Sequence, residues 1–294
     1  MLDHDYAQVN GVRLHYVHAG SGPLILFLHG FPEFWYAWKN QLAEFGKDHL
    51  AVAPDMRGYN LSSKPAELDQ YQMKHLVEDI RALAEHLGSK KFILVAHDWG
   101  GVVAWAFAMA HPECLEKLIV VNAPHPGVFA RELRDNPAQQ KASEYMLFFR
   151  GDQAEAHLSA NNCAALVKVV IGDGLKTGAF TEEDKQAYIE AWSQPGALTG
   201  GLNYYRAMKT GPPAPGESRE NRMAIDPARL MVKAPTLVIW GEKDTALLTG
   251  NLDGLDQFVP DLTIQRVPEG THWVVHEKPD EVNRQIREFL ARRT

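Results

Sequence analysis

Apolar residues in this chain fall into two alternating patterns, short unbroken runs and longer stretches with helical spacing. Short runs without polar alternation are typical of strands that are buried on both faces, as in a parallel sheet. These runs cover residues 24–28, 50–53, 92–96, 118–121, 236–240 and 262–267. Apolar residues three and four positions apart predict amphipathic helices over 73–87 and 280–293. Strands and helices that alternate in this way predict a mostly parallel, doubly wound sheet.

The first strands are predicted to pair as an antiparallel hairpin. Residues 6–9 and 12–18 flank the dipeptide Asn10-Gly11, and this dipeptide favours the tight type I′ turn that joins two strands. With the six apolar runs, the hairpin gives an expected sheet of eight strands.

The pattern changes between about Pro124 and Arg229, where strand-like runs mostly disappear and helical and loop segments take over. We interpret this stretch as a helical cap inserted into the sheet domain. The predicted division is a core over 1–126, a cap over 127–229 and the rest of the core over 230–294. The proline-rich segment 211–216 is expected to form a stiff surface loop.

Composition narrows the function classes. The 294-residue chain is 45% hydrophobic and carries a formal net charge of -7, which argues against nucleic acid or an anionic membrane surface as a partner. The sequence contains neither a signal peptide pattern nor an apolar run of about 18 residues, so we expect a cytoplasmic protein without a membrane span. The two cysteines, Cys114 and Cys163, lie far apart without CxxC spacing, so neither a disulfide framework nor a zinc site is expected. The sequence gives no reason to expect a metal or another cofactor.

Polar loops follow four of the predicted strands: HGFPE at 29–33, HDWGG at 97–101, GEKD at 241–244 and GTHW at 270–273. Ligands bind at the carboxyl ends of the strands in open α/β sheets. The loops bring Asp98, Asp244 and His272 to that edge, in the chain order nucleophile, acid and histidine.

The loop that contains Asp98 predicts a sharp turn from strand to helix. Ala96 before it and two glycines after it leave room for a turn so tight that its apex residue has strained backbone geometry. A simpler interpretation is an ordinary turn in which Asp98 caps the following helix, a common role for aspartate. The four loops together favour the catalytic interpretation.

An aspartate at this position indicates a particular chemistry. A carboxylate, with a pKa of about 4, is already ionised near neutral pH and attacks an alkyl carbon directly. The product is an ester on Asp98, which water activated by His272 and Asp244 would hydrolyse. The backbone N–H groups of Phe31 and Trp99 would form the oxyanion hole for that step.

Six motifs together resemble the α/β-hydrolase-fold epoxide hydrolases over nearly the whole chain. They begin at His29, Asp55, His97, Asn203, Gly241 and His272. The resemblance implies that Asp98 opens an epoxide ring, that water is the co-substrate and that the product is a vicinal diol. It also implies that two cap tyrosines donate hydrogen bonds to the ring oxygen. Tyr205 matches one of them, and Tyr145 is expected to be the other, with Tyr204 or Phe148 as alternatives in register.

Cap side chains such as Phe148, Phe149, Leu158, Leu166 and Trp192 suggest an apolar pocket. We therefore expect a small apolar epoxide as substrate, in contact with His29, Pro32, Trp99 and Phe148. The resemblance leaves open whether the protein is a monomer or a homodimer. Asn60 replaces a glycine that is common in the family, and asparagine tolerates the positive φ expected there.

Two other functions fit part of this pattern. A haloalkane dehalogenase uses the same Asp–His–acid machinery and would hold a halide with the indole of Trp99, but such enzymes often have Asn or Glu in place of Phe31. A binding module on the same fold needs no catalytic residues, whereas this chain has all three.

Overall fold

The structure is a computed structural model that describes residues 2–209, 211–214 and 227–292. Its strands are β1 (Asp3–Val9), β2 (Val12–Ala19), β3 (Leu24–Leu28), β4 (Leu50–Pro54), β5 (Phe92–His97), β6 (Leu115–Val121), β7 (Thr236–Gly241) and β8 (Leu262–Val267). They form one 8-stranded sheet in the order β1-β2-β4-β3-β5-β6-β7-β8. The predicted fold, a mostly parallel sheet of eight strands with flanking helices, is confirmed.

The hairpin at the start of the chain forms at the predicted turn. Asn10 and Gly11 have φ angles of 45° and 77°, and a type I′ turn needs positive φ at both positions. Strand β2 then pairs antiparallel with β4, whereas the pairs from β3 to β8 are all parallel. The carboxyl ends of β3, β5, β6, β7 and β8 therefore open at the same edge of the sheet.

Burial along the strands follows the prediction except in β8. Strands β3, β5 and β7 are buried at every residue, as unbroken apolar runs predict. In β8 only Val267 is buried. The prediction of a fully buried strand was wrong there, because β8 is the last strand of the sheet and pairs on one side only.

Helices cover the sheet and fill the segment between β6 and β7. They are α1 (Lys39–Phe45), α2 (Met73–His86), α3 (Trp99–Ala110), α4 (Pro126–Asp135), α5 (Pro137–Ala142), α6 (Tyr145–Arg150), α7 (Ala154–Leu166), α8 (Gly172–Thr177), α9 (Glu182–Trp192), α10 (Ala197–Met208), α11 (Val274–Glu277) and α12 (Pro279–Leu290). A π-helical stretch, Val167–Ile171, separates α7 from α8. We call α4 to α10 the helical insertion. The domain limits at 127 and 229 remain a prediction.

The helical insertion contacts the core directly through main chain. A Cβ at Gly200 of α10 would lie 2.1 Å from the carbonyl oxygen of Gly58, so the helix sits on this turn only because residue 200 lacks a side chain. Tyr204, one helical turn later, donates a hydrogen bond of 2.8 Å to the carbonyl of Arg57. In the same region Asn60 has a φ of 38°, the positive value expected for it. These contacts fix α10 above the carboxyl edge of the sheet.

The predicted surface loop over 211–216 is only partly visible, since residues 215 and 216 lie outside the described residues. The visible part differs from the prediction, because Gly211 and Pro212 are buried. A Cβ at Gly211 would lie 2.7 Å from the Cβ of Met146, so the chain here packs into the insertion rather than over its surface.

Cys114 and Cys163 are both free thiols. Within the described ranges, no group of three or more His, Cys, Asp and Glu side chains is arranged to hold a metal ion. No helix of the described chain is both long and apolar enough to cross a membrane.

Candidate active site

The turn between β5 and α3 places Asp98 at a strained apex. Its φ is 50° and its ψ is -121°, a region that residues other than glycine rarely occupy. Two glycines make room for this geometry. A Cβ at Gly30 would lie 2.2 Å from Asp98 Oδ1, and a Cβ at Gly100 would lie 2.4 Å from the Leu28 carbonyl oxygen. Asp98 occupies the N-cap position of α3, but its side chain makes no capping hydrogen bond, so the carboxylate is directed elsewhere.

The Asp98 carboxylate is held between the loop after β3 and the loop after β8. The Phe31 amide donates a hydrogen bond of 2.8 Å to Oδ1, and Nε2 of His272 lies 3.5 Å from Oδ2. Asp98 is 8% exposed. Trp99 is the first residue of α3, so its amide belongs to the helix N–H groups that have no partner within the helix. Of the two amides named in the sequence prediction, the Phe31 amide contacts the carboxylate, and the Trp99 amide follows Asp98 at the start of α3.

His272 is oriented by a buried carboxylate. Its Nδ1 donates a hydrogen bond of 2.7 Å to Oδ2 of Asp244. The other oxygen, Oδ1, accepts from the amides of Ala246 and Leu247 at 2.8 and 2.9 Å. Oδ2 also accepts a bond of 2.8 Å from the Asn122 side-chain amide. Sequence reasoning missed Asn122, although its place directly after the apolar run of β6 was the same signal that identified the other loops.

Electrostatics favour a charged histidine in the resting site. Burial raises the pKa of Asp244, but His272 and the hydrogen bonds outweigh burial and lower it. Burial also lowers the pKa of His272, yet the carboxylates of Asp244 and Asp98 raise it well above the usual value for histidine. The two carboxylates therefore hold a proton on His272.

Two tyrosines of the helical insertion lie near Asp98. Tyr205 of α10 is 2% exposed, and the ring of Tyr145 of α6 lies 6.5 Å from the Tyr205 ring between centroids. Burial raises the pKa of both phenols well above the usual value, and Asp98 raises each further. Both phenols therefore stay protonated. Tyr204, the alternative in register, makes a different contact, because its hydroxyl donates a hydrogen bond to the Arg57 carbonyl in the core.

Aromatic rings surround the space between Asp98 and the tyrosines. The Tyr205 ring lies 5.0 Å from Trp99, 5.6 Å from Phe31 and 5.1 Å from Phe149 between centroids. The structure does not bring Phe148 to this wall, since Phe148 is 40% exposed and packs on His157. Phe149, four residues after Tyr145 on the same face of α6, takes the place expected for Phe148.

His29 has a structural place instead of the expected contact with substrate. It is fully buried; its Nδ1 donates to the Gly30 carbonyl at 2.9 Å, and its Nε2 accepts from the Met56 amide at 3.0 Å. Burial lowers the pKa of His29, in agreement with a neutral ring. Both nitrogens are occupied, so His29 fixes the loop that contains the Phe31 amide.

Pro32 lies where the core loop faces the insertion. Its carbonyl oxygen accepts a hydrogen bond from the indole of Trp192 at 2.5 Å. A cleft of ≈ 240 Å³ is lined in part by Phe31, Pro32 and Trp192. This volume includes space open to solvent. Pro32 therefore borders an apolar opening between the core and the insertion.

A second buried network, absent from the sequence prediction, contacts the main chain of His272. Nδ1 of His97 lies 3.0 Å from Oε2 of Glu33, and Nε2 of His97 lies 2.9 Å from the main-chain carbonyl of His272. A carboxylate and a carbonyl only accept hydrogen bonds, so His97 makes both bonds when both of its nitrogens carry a hydrogen. Burial raises the pKa of Glu33, but His276 and His97 outweigh burial and lower it well below its usual range.

Comparison with known proteins identifies the family. Residues 23–279 match the alpha/beta hydrolase fold family. AB hydrolase superfamily protein YfhM of Bacillus subtilis (strain 168) is 42% identical over 289 residues, which cover 97% of this chain and 96% of that protein. Epoxide hydrolase 4 of Mus musculus is 39% identical over 99% of this chain and 80% of its own length.

Solved structures agree. The crystal structure of Bacillus megaterium epoxide hydrolase in complex with an inhibitor superposes with a TM-score of 0.91 and is 42% identical, over 98% of this chain and 100% of that one. Both the fold and the sequence are thus similar over 98% of this chain. This chain belongs to the α/β-hydrolase-fold epoxide hydrolase family.

Proposed function

We propose that this enzyme converts small apolar epoxides to vicinal diols through a covalent ester on Asp98. The observation that carries the proposal is the position of the Asp98 carboxylate, which lies between the Phe31 amide at 2.8 Å and His272 Nε2 at 3.5 Å. On the side of the insertion, the rings of Tyr145 and Tyr205 lie 6.5 Å apart between centroids, and the charge of Asp98 raises the pKa of each phenol beyond the effect of burial. One carboxylate thus has a proton donor for the epoxide and a base for water within one site.

In the first half-reaction, an Asp98 oxygen bonds to a ring carbon and the bond from that carbon to the epoxide oxygen breaks. The oxygen leaves as an alkoxide, which needs a proton. Tyr205 and Tyr145 supply hydrogen bonds and the proton, since the raised pKa of each phenol keeps it protonated in the free enzyme. The product is a hydroxyalkyl ester of Asp98.

In the second half-reaction, His272 removes a proton from water and the resulting hydroxide attacks the ester carbonyl carbon. The negative oxygen of the intermediate is stabilised by the Phe31 and Trp99 amides, and the bond from the carbonyl carbon to the diol oxygen then breaks. The diol oxygen leaves as an alkoxide and takes the proton of the newly added hydroxyl, so Asp98 returns as a carboxylate. The proton that His272 holds in the free enzyme goes to the tyrosinate after ring opening, which frees His272 to accept the proton from water and leaves it protonated again at the end of the cycle. One diol oxygen comes from the epoxide and the other from Asp98.

Ester formation also prepares the base. Asp98 and Asp244 both raise the pKa of His272, and conversion of Asp98 to an ester removes one of these two negative charges. The histidine then holds its proton less tightly, while Asp244 at 2.7 Å keeps the ring oriented. His272 therefore becomes a base at the stage at which water has to be activated.

The site favours epoxides over haloalkanes as substrates. A halide-releasing enzyme would use the indole N–H of Trp99 to hold the leaving halide. Here the Trp99 ring lies edge-on to the Tyr205 ring, with 5.0 Å between the centroids, and Trp99 lowers the pKa of the Tyr205 phenol against the effect of burial. The indole thus supports the proton donor for an alkoxide.

The test is a single turnover with excess enzyme in ¹⁸O-water. We expect an unlabelled diol and label in Asp98, because water oxygen enters the carboxylate first. Label in the diol of the first turnover would show direct attack of water and refute the ester. The variant His272→Gln should accumulate a protein heavier by the mass of the epoxide.

The role of Tyr205 has a matched control in its neighbour. Tyr205→Phe should slow ester formation by at least about 100-fold, the usual contribution of a general acid. Tyr204→Phe removes a hydroxyl from the same helix, but one that bonds to Arg57, and should leave the rate of ester formation within a few-fold of wild type. Equal slowing by both variants would remove Tyr205 as the acid.

A further inference from the structure

A fully buried cluster connects the helical insertion to the core behind the catalytic histidine. Oε1 of Glu33 accepts hydrogen bonds from the Tyr188 hydroxyl at 2.9 Å and from Nε2 of His276 at 2.5 Å. Glu33 is 1% exposed, Tyr188 0% and His276 6%. The second oxygen of Glu33 is bonded to His97. Three donors from three separate elements thus satisfy one buried carboxylate.

Tyr188 belongs to a helix that is fixed to the core along one face. Residues 184, 188 and 192 of α9 are spaced by four and lie on the same side of the helix. Asp184 forms an ion pair with Lys39 and accepts a hydrogen bond of 2.8 Å from Tyr36. Trp192 bonds to the Pro32 carbonyl. Of these contacts, the one made by Tyr188 is connected through Glu33 to the catalytic histidine.

The connection runs through His97 to the main chain at His272. Because His97 bonds to Oε2 of Glu33 at 3.0 Å and to the His272 carbonyl at 2.9 Å, rotation of the Glu33 carboxylate would displace His97. That displacement would move the backbone that carries the His272 ring. The ring has to stay on Asp244 while its Nε2 receives a proton from water, so small displacements of its backbone matter.

The loop that contacts Asp98 is held by a hydrogen bond outside this network. The Phe31 amide that contacts Asp98 belongs to a turn closed by the Glu33 amide and the Gly30 carbonyl at 2.9 Å. This main-chain bond does not involve the Glu33 side chain. Loss of a hydrogen-bond donor to the Glu33 carboxylate would therefore displace His272 more than Asp98.

We propose that Tyr188 and His276 are positioning residues for the hydrolytic half-reaction, holding Glu33 so that His97 keeps the His272 backbone in place. Through Tyr188, the seating of helix α9 on the core sets the geometry of the catalytic base. The proposal rests on the proposed function, because it assumes that ester formation and ester hydrolysis are separate steps.

The experiment measures both steps in single turnovers, by intact mass and by rapid quench for the diol. Tyr188→Phe and His276→Leu each remove one donor to Glu33, whereas His276→Gln keeps a side-chain N–H. We expect the first two variants to slow ester hydrolysis by about 5- to 10-fold, the value of one buried hydrogen bond, with ester formation changed by less than about 2-fold. His276→Gln should recover most of the rate.

The matched control is Tyr36→Phe, which removes another hydroxyl that joins α9 to the core but contacts Asp184 instead of Glu33. This variant should change neither step. Equal slowing of both steps by Tyr188→Phe, no slowing at all, or the same effect from Tyr36→Phe would overturn the proposal. If His276→Leu fails to fold, the rates of the two steps in Tyr188→Phe alone test the proposal. Failure of the proposed function is separately visible, since the wild-type enzyme would then form no ester and would label the diol.

Discussion

Replacement of Gly200 by alanine tests whether the seating of α10 on the core controls both stability and ring opening. The new Cβ would lie 2.1 Å from the Gly58 carbonyl oxygen and 2.6 Å from its Cα, while ordinary contact begins at 3.4 Å. The helix would therefore have to retreat by about 1.3 Å, the difference between 3.4 and 2.1 Å. Gly58 cannot yield easily, since its own φ is 93°.

Two opposing effects set the expected magnitude. Alanine is better than glycine inside a helix by about 1 kcal/mol, whereas overpacking against a rigid neighbour costs about 1–3 kcal/mol. All three atoms nearest to the new Cβ belong to the main chain of Gly58, so we expect the upper end of this cost and a net destabilisation of about 1–2 kcal/mol. Tyr205 lies on the same helix, and a misplacement near 1 Å should slow ester formation by about 100-fold.

The assay combines urea unfolding with the rate of ester formation in single turnovers. Gly172→Ala is the matched control, because a Cβ there meets only the Val167 carbonyl oxygen at an ordinary 3.6 Å. The control should be as stable as wild type or more stable by up to about 1 kcal/mol, with unchanged activity. A Gly200→Ala enzyme that is more stable than wild type and equally fast would refute the reasoning.

Three further changes act on the catalytic groups. Gly30→Ala places a Cβ 2.2 Å from Asp98 Oδ1 and should slow ester formation by at least about 100-fold; a normal burst of ester would contradict this. Asn122→Ala removes the bond of 2.8 Å to Asp244 and should slow ester hydrolysis by about 10-fold, whereas equal slowing of ester formation would argue against a role specific to the histidine. His272 acts as a base only without its proton, and in the ester only Asp244 still raises its pKa, because the charge of Asp98 is gone. The rate of ester hydrolysis should therefore rise with pH through the pKa that His272 has in the ester, which lies below its pKa in the free enzyme, and a flat profile in rapid-quench measurements would exclude His272 as the base.

Much of the architecture could be predicted from the sequence because it follows from local patterns. Unbroken apolar runs identified the parallel strands, and Asn10-Gly11 identified the hairpin. Carboxyl ends of parallel strands meet at one edge of the sheet, so the polar loops after them had to converge. This topological rule places Asp98, Asp244 and His272 together from the sequence alone.

Tertiary packing decided the features that depend on the rotation of a helix or on the partner of a buried polar group. The sequence left Tyr204 and Tyr205 as neighbours in one motif, and only the packing of α10 on Arg57 separates them. In α6, helix rotation turned Phe149 instead of Phe148 toward Tyr205.

Buried polar partners were equally invisible to local patterns. The contact between Tyr188 and Glu33 joins residues 155 positions apart, and no spacing rule relates a residue of an inserted helix to one of a core loop. The sequence by itself determined the strands, the converging loops and the residue types at the site, because these depend on periodicity and chain direction. Which side chains meet across the boundary between core and insertion was decided by three-dimensional packing, where hydrogen bonds form between residues that are close in space and remote in the chain.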